Sequence, residues 1–97
     1  MTLIRPKLFQ VIPTDDYKVY LYYDNGEIKV YDCSWILNES GIFEKIKDKE
    51  NFKNTCTIMN NTLAFDISGK RDTYNCIDIC PDTVYGESKP CEDILTA

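Results

Sequence analysis

The stretch YLYYDNGEIKVYD, Tyr20 to Asp32, decides how this chain folds. Two runs rich in β-favouring residues flank Asn25-Gly26, a pair that accepts the positive φ a two-residue hairpin turn demands at both central positions. The chain is expected to reverse there. A two-residue loop pairs Tyr23 with Ile28, Tyr22 with Lys29, Leu21 with Val30 and Tyr20 with Tyr31. One face then carries Val19, Leu21, Tyr23, Ile28 and Val30, and the other Lys18, Tyr20, Tyr22, Glu27, Lys29 and Tyr31. A three-residue loop pairs Tyr23 with Glu27 and mixes apolar and charged side chains on both faces, so the pattern favours the shorter turn.

Working outward, KLFQVIP reads as a strand ended by Pro13, and TDD supplies turn residues before the next strand begins at Tyr17. Downstream, Asp32 caps a short helical turn through Ser34, Trp35, Ile36 and Leu37. Ser40 caps a second helix, in which Ile42, Phe43 and Ile46 recur at helical spacing and Phe52 closes the segment. NTCTIMN and TLAFDI form a further hairpin about Asn60-Asn61, SGKRD is a charged turn, and YNCIDI is a last short strand. Pro81 then opens a tight helical turn ending near Tyr85. The expected fold is a two-layer α+β domain over residues 1–85: an antiparallel meander with its apolar face covered by the helices between Ser34 and Phe52. From Gly86 to Ala97 the chain reads as a loose tail.

The chain has 97 residues, one domain's worth, and burying roughly 60 to 65% of its unfolded surface lets such a length fold without metal or disulfide. No apolar run approaches the ~18 residues of a membrane span, and the opening MTLIRPKLFQ lacks the apolar core of a signal peptide. The expectation is therefore a reducing cytoplasm, in which the five cysteines are thiols and the Asn38 and Asn60 triplets carry no glycan. Sixteen acidic against eleven basic residues give a net charge of −5, which disfavours direct binding to nucleic-acid phosphates and suits a basic protein partner.

The chain holds no histidine, which removes the commonest general base, the Ser-His and Cys-His pairs and every imidazole zinc site. Cys76 and Cys80 have knuckle-like spacing but no second close pair, so they read as small apolar thiols and no metal is expected. Asp66, Asp72, Asp78 and Asp82 fit no calcium loop, and Asp82 after Pro81 suits a helix's first turn. SGKRD lacks the glycines and the following helix of a phosphate loop. No cofactor and no catalytic residue is assigned. Tyr20, Tyr22 and Tyr31, with Lys29 beside them, remain as a candidate interaction face, because tyrosine combines contact area, low side-chain entropy and a polar tip. The alternative is that these rings only support the sheet as cross-strand pairs.

Three stretches in this order resemble domain-of-unknown-function family 2442, which comprises small bacterial proteins or domains. VIPTDDYKVYLYYDNGEIKVYD is similar to the family's strand, D-D-Y, strand, D-x-G-E and terminal Asp pattern; GIFEKIKDKENF resembles its apolar-rich helix. IDICPDTVY resembles its I-D-x-x-P-D-x-L-Y ending, with Asp78, Pro81, Asp82 and Tyr85 at the motif positions. Phe65 and Asp66 stand where the family usually carries tryptophan followed by proline. Relatives occur alone, fused to a helix-turn-helix, or beside genes of toxin and antitoxin type. The resemblance thus implies an interaction or regulatory role, with a nucleic-acid-linked or toxin-antitoxin-type regulator as the alternative; the tyrosine-rich hairpin face or an open sheet edge is the surface expected to engage a protein partner or a second copy of the chain.

Overall fold

The computed structural model describes residues 6–59, 61–67, 69 and 76–91. β1 (Leu8–Pro13), β2 (Lys18–Tyr23) and β3 (Ile28–Asp32) pair antiparallel in chain order, forming the expected meander. In the turn after β1, the Thr14 amide and hydroxyl both donate to the Lys18 carbonyl, at 2.8 and 3.2 Å. Tyr17 sits at a φ of 64°, and from there its ring packs edge-on against Phe52, 5.2 Å between centroids, while its hydroxyl donates to the Lys47 carbonyl. A one-residue bulge at Phe9 interrupts the pairing of β1 with β2.

The hairpin turn corrects the expected register. β2 and β3 pair Tyr22 with Ile28, Leu21 with Lys29, Tyr20 with Val30 and Val19 with Tyr31, one residue away from the two-residue-loop pairing. The loop is Asp24-Asn25-Gly26. The Gly26 amide donates to the Tyr23 carbonyl at 3.1 Å, and the Tyr23 amide to the Glu27 carbonyl at 3.0 Å. Only Gly26, at a φ of 90°, enters the left-handed region; Asn25 stays out of it, since Tyr17 and Asn61 are the non-glycine residues at positive φ among those described. This is a type I turn closed by a glycine bulge, which needs one left-handed residue instead of two. Lys29 and Tyr31 therefore share the inner face with Val19, Leu21 and Tyr23, while Ile28 and Val30 join Tyr20 and Tyr22 outside.

Beyond β3, a 3-10 helix runs over Ser34–Asn38; its N-cap is Cys33, with no side-chain cap bond, and Asp32, expected as the cap, lies one residue earlier and accepts from the Ser34 amide at 2.9 Å. The expected second helix divides in two. Gly41–Ile46 is again 3-10, with Ser40 preceding it but forming no side-chain cap; α1 (Lys49–Thr55) follows, capped by Asp48, which accepts from the Asn51 amide at 3.2 Å. α1 leads into β4 (Cys56–Met59), which forms a hairpin with β5 (Thr62–Asp66), and β6 (Cys76–Asp78) completes a three-stranded antiparallel sheet. Met59 pairs with Thr62, so the chain reverses where Asn60-Asn61 was expected to turn it. Asn60 itself, most of SGKRD including Asp72, and the start of YNCIDI lie outside the described residues.

α2 (Pro81–Glu87) has Pro81 in its first turn and runs two residues past Tyr85. β7 (Lys89–Pro90) then pairs with β3 as the fourth strand of the first sheet, and the Cys91 amide donates to the Ile28 carbonyl at 2.9 Å. This corrects the expected loose tail: Gly86 to Cys91 is tied to the sheet, and residues 92–97 lie outside the described set.

The core lies between the two sheets. Val19, Leu21, Tyr23 and Tyr31 of the first join Leu63, Phe65 and Ile77 of the second in one buried cluster, to which the helices add Ile36, Ile46, Phe52 and Val84. The cover over the meander is thus shared between a second sheet and the helices, where helices alone were expected. Phe52 joins the parts: its fully buried ring stands 5.2 Å from both Tyr17 and Phe65. Among the described residues, no helix is long and apolar enough to cross a membrane.

A Cβ added at Gly26 meets nothing within 4 Å, so substitution there costs only backbone conformation. Gly26→Ala is expected to lower the unfolding free energy by about 1 kcal/mol in denaturant titration, and Gly26→Asn by less, since asparagine tolerates the left-handed region. Equal losses for the two would contradict this turn.

Candidate functional site

The corrected register splits the four candidate residues between the two faces of the first sheet. Tyr20 and Tyr22 lie on the outer face beside Gln10 and Ile12 of β1 and Ile28 and Val30 of β3. The bulge turns Phe9 onto the same face: its ring is 60% exposed and meets the ring of Tyr22 edge-on, 6.4 Å between centroids. Tyr22 is only 5% exposed, whereas Ile12, Tyr20, Ile28 and Val30 are half-buried. Lys18 opposite Asp32, and Lys89 opposite Val30, give this apolar face a charged margin of both signs.

Lys29 and Tyr31 do other work. The Lys29 ammonium donates to the Tyr85 carbonyl at 2.6 Å and stands 4.0 Å from the centroid of the Tyr85 ring. The Tyr85 hydroxyl donates to the Glu27 carboxylate at 2.6 Å, and the Asn25 amide nitrogen donates to the same oxygen at 2.6 Å. Tyr23 packs edge-on against Tyr85, 5.2 Å away. These contacts hold α2 to the hairpin across 56 residues of sequence. The hydrogen bond from Tyr85, followed by that from Asn25, keeps the Glu27 carboxyl below its ordinary value, and the same carboxylate raises the Tyr85 phenol.

Tyr31 helps to line a cleft of about 490 Å³ between the first sheet, the 3-10 helices, β6 and α2. Trp35 and Phe43 form one wall, edge to face at 5.5 Å, and the Trp35 indole N–H donates to the Tyr31 hydroxyl at 3.2 Å. Ile77 and Ile79 contribute apolar surface, and Glu87 is exposed at the margin. Burial, first of all, raises the Tyr31 phenol, and the nearby Glu87 charge adds to it. Cys80 also lines the cleft: hydrogen bonds from the Thr83 and Asp82 amides lower its thiol. Burial pushes the Cys56 thiol up to about 12 and raises Cys33 as well.

The motif residues serve different parts of this arrangement. Asp78 lines the cleft and accepts from the Cys76 thiol at 3.0 Å, Pro81 and Asp82 form the first turn of α2, and Tyr85 engages the hairpin. Among the described residues, no group of three or more cysteine, aspartate and glutamate side chains could hold a metal ion. Sequence reasoning missed Phe9 and Ile12 as surface residues and Trp35, Phe43 and Glu87 as cleft residues. For Phe9 a signal was present: LFQVI is apolar at both parities, which means apolar side chains on both faces of the strand. Trp35 and Phe43 read only as cover for the sheet, because periodicity cannot separate a wall of the core from a wall of a cleft.

With this geometry in view, residues 9–90 match the model of a family described as a protein of unknown function, DUF2442, and the chain belongs to that family. No curated protein and no solved structure matches it. Two of the three stretches that carry the resemblance, VIPTDDYKVYLYYDNGEIKVYD and IDICPDTVY, meet through Glu27, Lys29 and Tyr85.

The Tyr85–Glu27 bond has a pH signature. Because the folded carboxyl lies below its ordinary 4.5, the unfolded chain binds more protons in that window. The contribution is complete above the unfolded value and is lost as pH falls through the folded one. Tyr85→Phe removes the largest cause of the shift, so the variant is expected to lose stability less steeply than the wild type as pH drops below about 4.5 in acid-titrated thermal melts. Parallel acid limbs would contradict the assignment.

Proposed function

We propose that this protein is an interaction module that engages a protein partner, or a second copy of itself, through the outer face of its four-stranded sheet. The observation that carries the reading is Phe9: a bulge turns its ring out of the core, and it stands 60% exposed beside Tyr22 on a face that also presents Ile12, Tyr20, Ile28 and Val30. Contiguous apolar surface of this kind, rimmed by polar residues, marks interaction sites in soluble proteins. Tyrosine and phenylalanine are the residue types enriched there.

The proposed role is regulatory and not enzymatic. A chain without histidine has few ways to build a general base near neutral pH, and the polar contacts of its motif residue Tyr85 tie α2 to the hairpin. The net charge of −5 supports a protein partner over direct contact with nucleic-acid phosphates. The five cysteines are thiols, which suits the reducing cytoplasm as the place of action.

Phe9→Ser combined with Tyr20→Ser tests the reading. Neither ring is fully buried, so the double variant is expected to fold, with stability reduced by about 1 kcal/mol or less. Its affinity for the partner captured by the wild type, or its self-association by light scattering, is expected to fall by about tenfold or more. A folded double variant with wild-type affinity and mass would overturn the proposal.

A further inference from the structure

The geometry points to the cleft beside Tyr31, Trp35 and Phe43 as the seat of an arginine side chain from a basic polypeptide segment, with Glu87 receiving its charge. The site is on the inner side of the first sheet. Glu87 also lines a smaller cavity with Lys18, Val30, Asp32 and Lys89 at the margin of the outer face proposed above, but Phe9 and Tyr20, which test that face, line neither cavity, so either can fail alone.

Three features select this occupant. The first is the wall. Trp35 and Phe43 meet edge to face at 5.5 Å, so their rings present differently oriented π surfaces, and Ile77 and Ile79 add apolar surface for an aliphatic stem. A planar guanidinium stacks on aromatic faces and is more weakly hydrated than an ammonium, so it enters such a place at lower desolvation cost. The second is charge. Glu87 lies at the cleft margin and makes no ion pair among the described residues, and its field already reaches the Tyr31 hydroxyl at the cleft wall. A carboxylate next to aromatic rings favours a cation over an anion or a neutral group.

The third feature separates a polypeptide from a free organic cation. The Tyr31 hydroxyl accepts from Trp35, and its own proton has no acceptor among the described residues. A polypeptide supplies carbonyl oxygens next to its side chains, and that hydroxyl can donate to one of them. The net charge of −5 also steers a segment bearing several positive charges more strongly than it steers a single charge. At about 490 Å³, the cleft lies within the ordinary range of binding pockets, roughly 300 to 1,000 Å³, and has room for one long side chain with part of its backbone.

Trp35 is the chain's single tryptophan, so its intrinsic fluorescence reports on the cleft directly. The probes are a blocked pentapeptide carrying two arginines, its glutamate and norleucine counterparts, and n-butylguanidinium alone, which has the side chain's charge and no carbonyl. The arginine peptide is expected to give a saturable change in Trp35 emission that weakens as salt is raised. Glu87→Gln, an exposed isosteric change, is expected to leave the thermal melt unchanged and to weaken binding about three- to fivefold, as for a partly exposed charge pair. Tyr31→Phe is expected to weaken the peptide but not n-butylguanidinium.

The proposal is overturned if the arginine peptide gives no saturable change, or if the glutamate or norleucine peptide binds as tightly. Equal affinity in Glu87→Gln would remove the charge pairing. n-Butylguanidinium binding as tightly as the peptide would assign the cleft to a free organic cation and reject the polypeptide.

Discussion

Lys29 is the residue on which the arrangement turns. On an inner sheet face a lysine is costly unless its charge is met, and here the Tyr85 carbonyl accepts from it at 2.6 Å while the Tyr85 ring stands beneath it at 4.0 Å. Truncating one partner of such a contact leaves the other unsatisfied, so hairpin and α2 hold each other in place. The three-residue turn makes this possible by bringing Lys29 inside. The same shift carries Tyr31 inward to receive the Trp35 indole and form part of the cleft wall. It also carries Ile28 and Val30 outward, where they extend the apolar face around Tyr20 and Tyr22. Both candidate surfaces are thus consequences of one register.

Much of this was legible in the sequence, and the error is instructive. Alternation in β2 assigned Val19, Leu21 and Tyr23 to the core, where all three are buried. It could not fix β3, because Ile28, Val30 and Tyr31 are apolar at both parities and only Lys29 seemed to vote. A lysine was read as facing water; its partner, Tyr85, lies 56 residues away and cannot be seen from a local pattern. Asn25-Gly26 was likewise ambiguous. Glycine serves equally as the second residue of a two-residue turn and as the closing residue of a three-residue one. The tail was misread for the same kind of reason: Lys89 and Pro90 have no strand character of their own, and β3 supplies the hydrogen-bonding edge that orders them.

The outer face and the cleft lie on opposite sides of the first sheet and differ in chemistry. Phe9, Ile12 and Tyr20 offer a broad apolar surface with a mixed-charge margin, suited to another folded surface. Trp35, Phe43 and Glu87 line an open cleft of about 490 Å³. Between them, Glu27 and Tyr85, from two of the stretches on which the family resemblance rests, hold α2 in place beside the cleft.

The central claim is the register, and proton NMR tests it most directly, because cross-strand Hα protons approach closely only between residues that face each other in the wide pairs of an antiparallel ladder. The account predicts Hα–Hα contacts between Tyr22 and Ile28 and between Tyr20 and Val30. Contacts between Tyr23 and Ile28, or between Leu21 and Val30, would place Lys29 outside and contradict it.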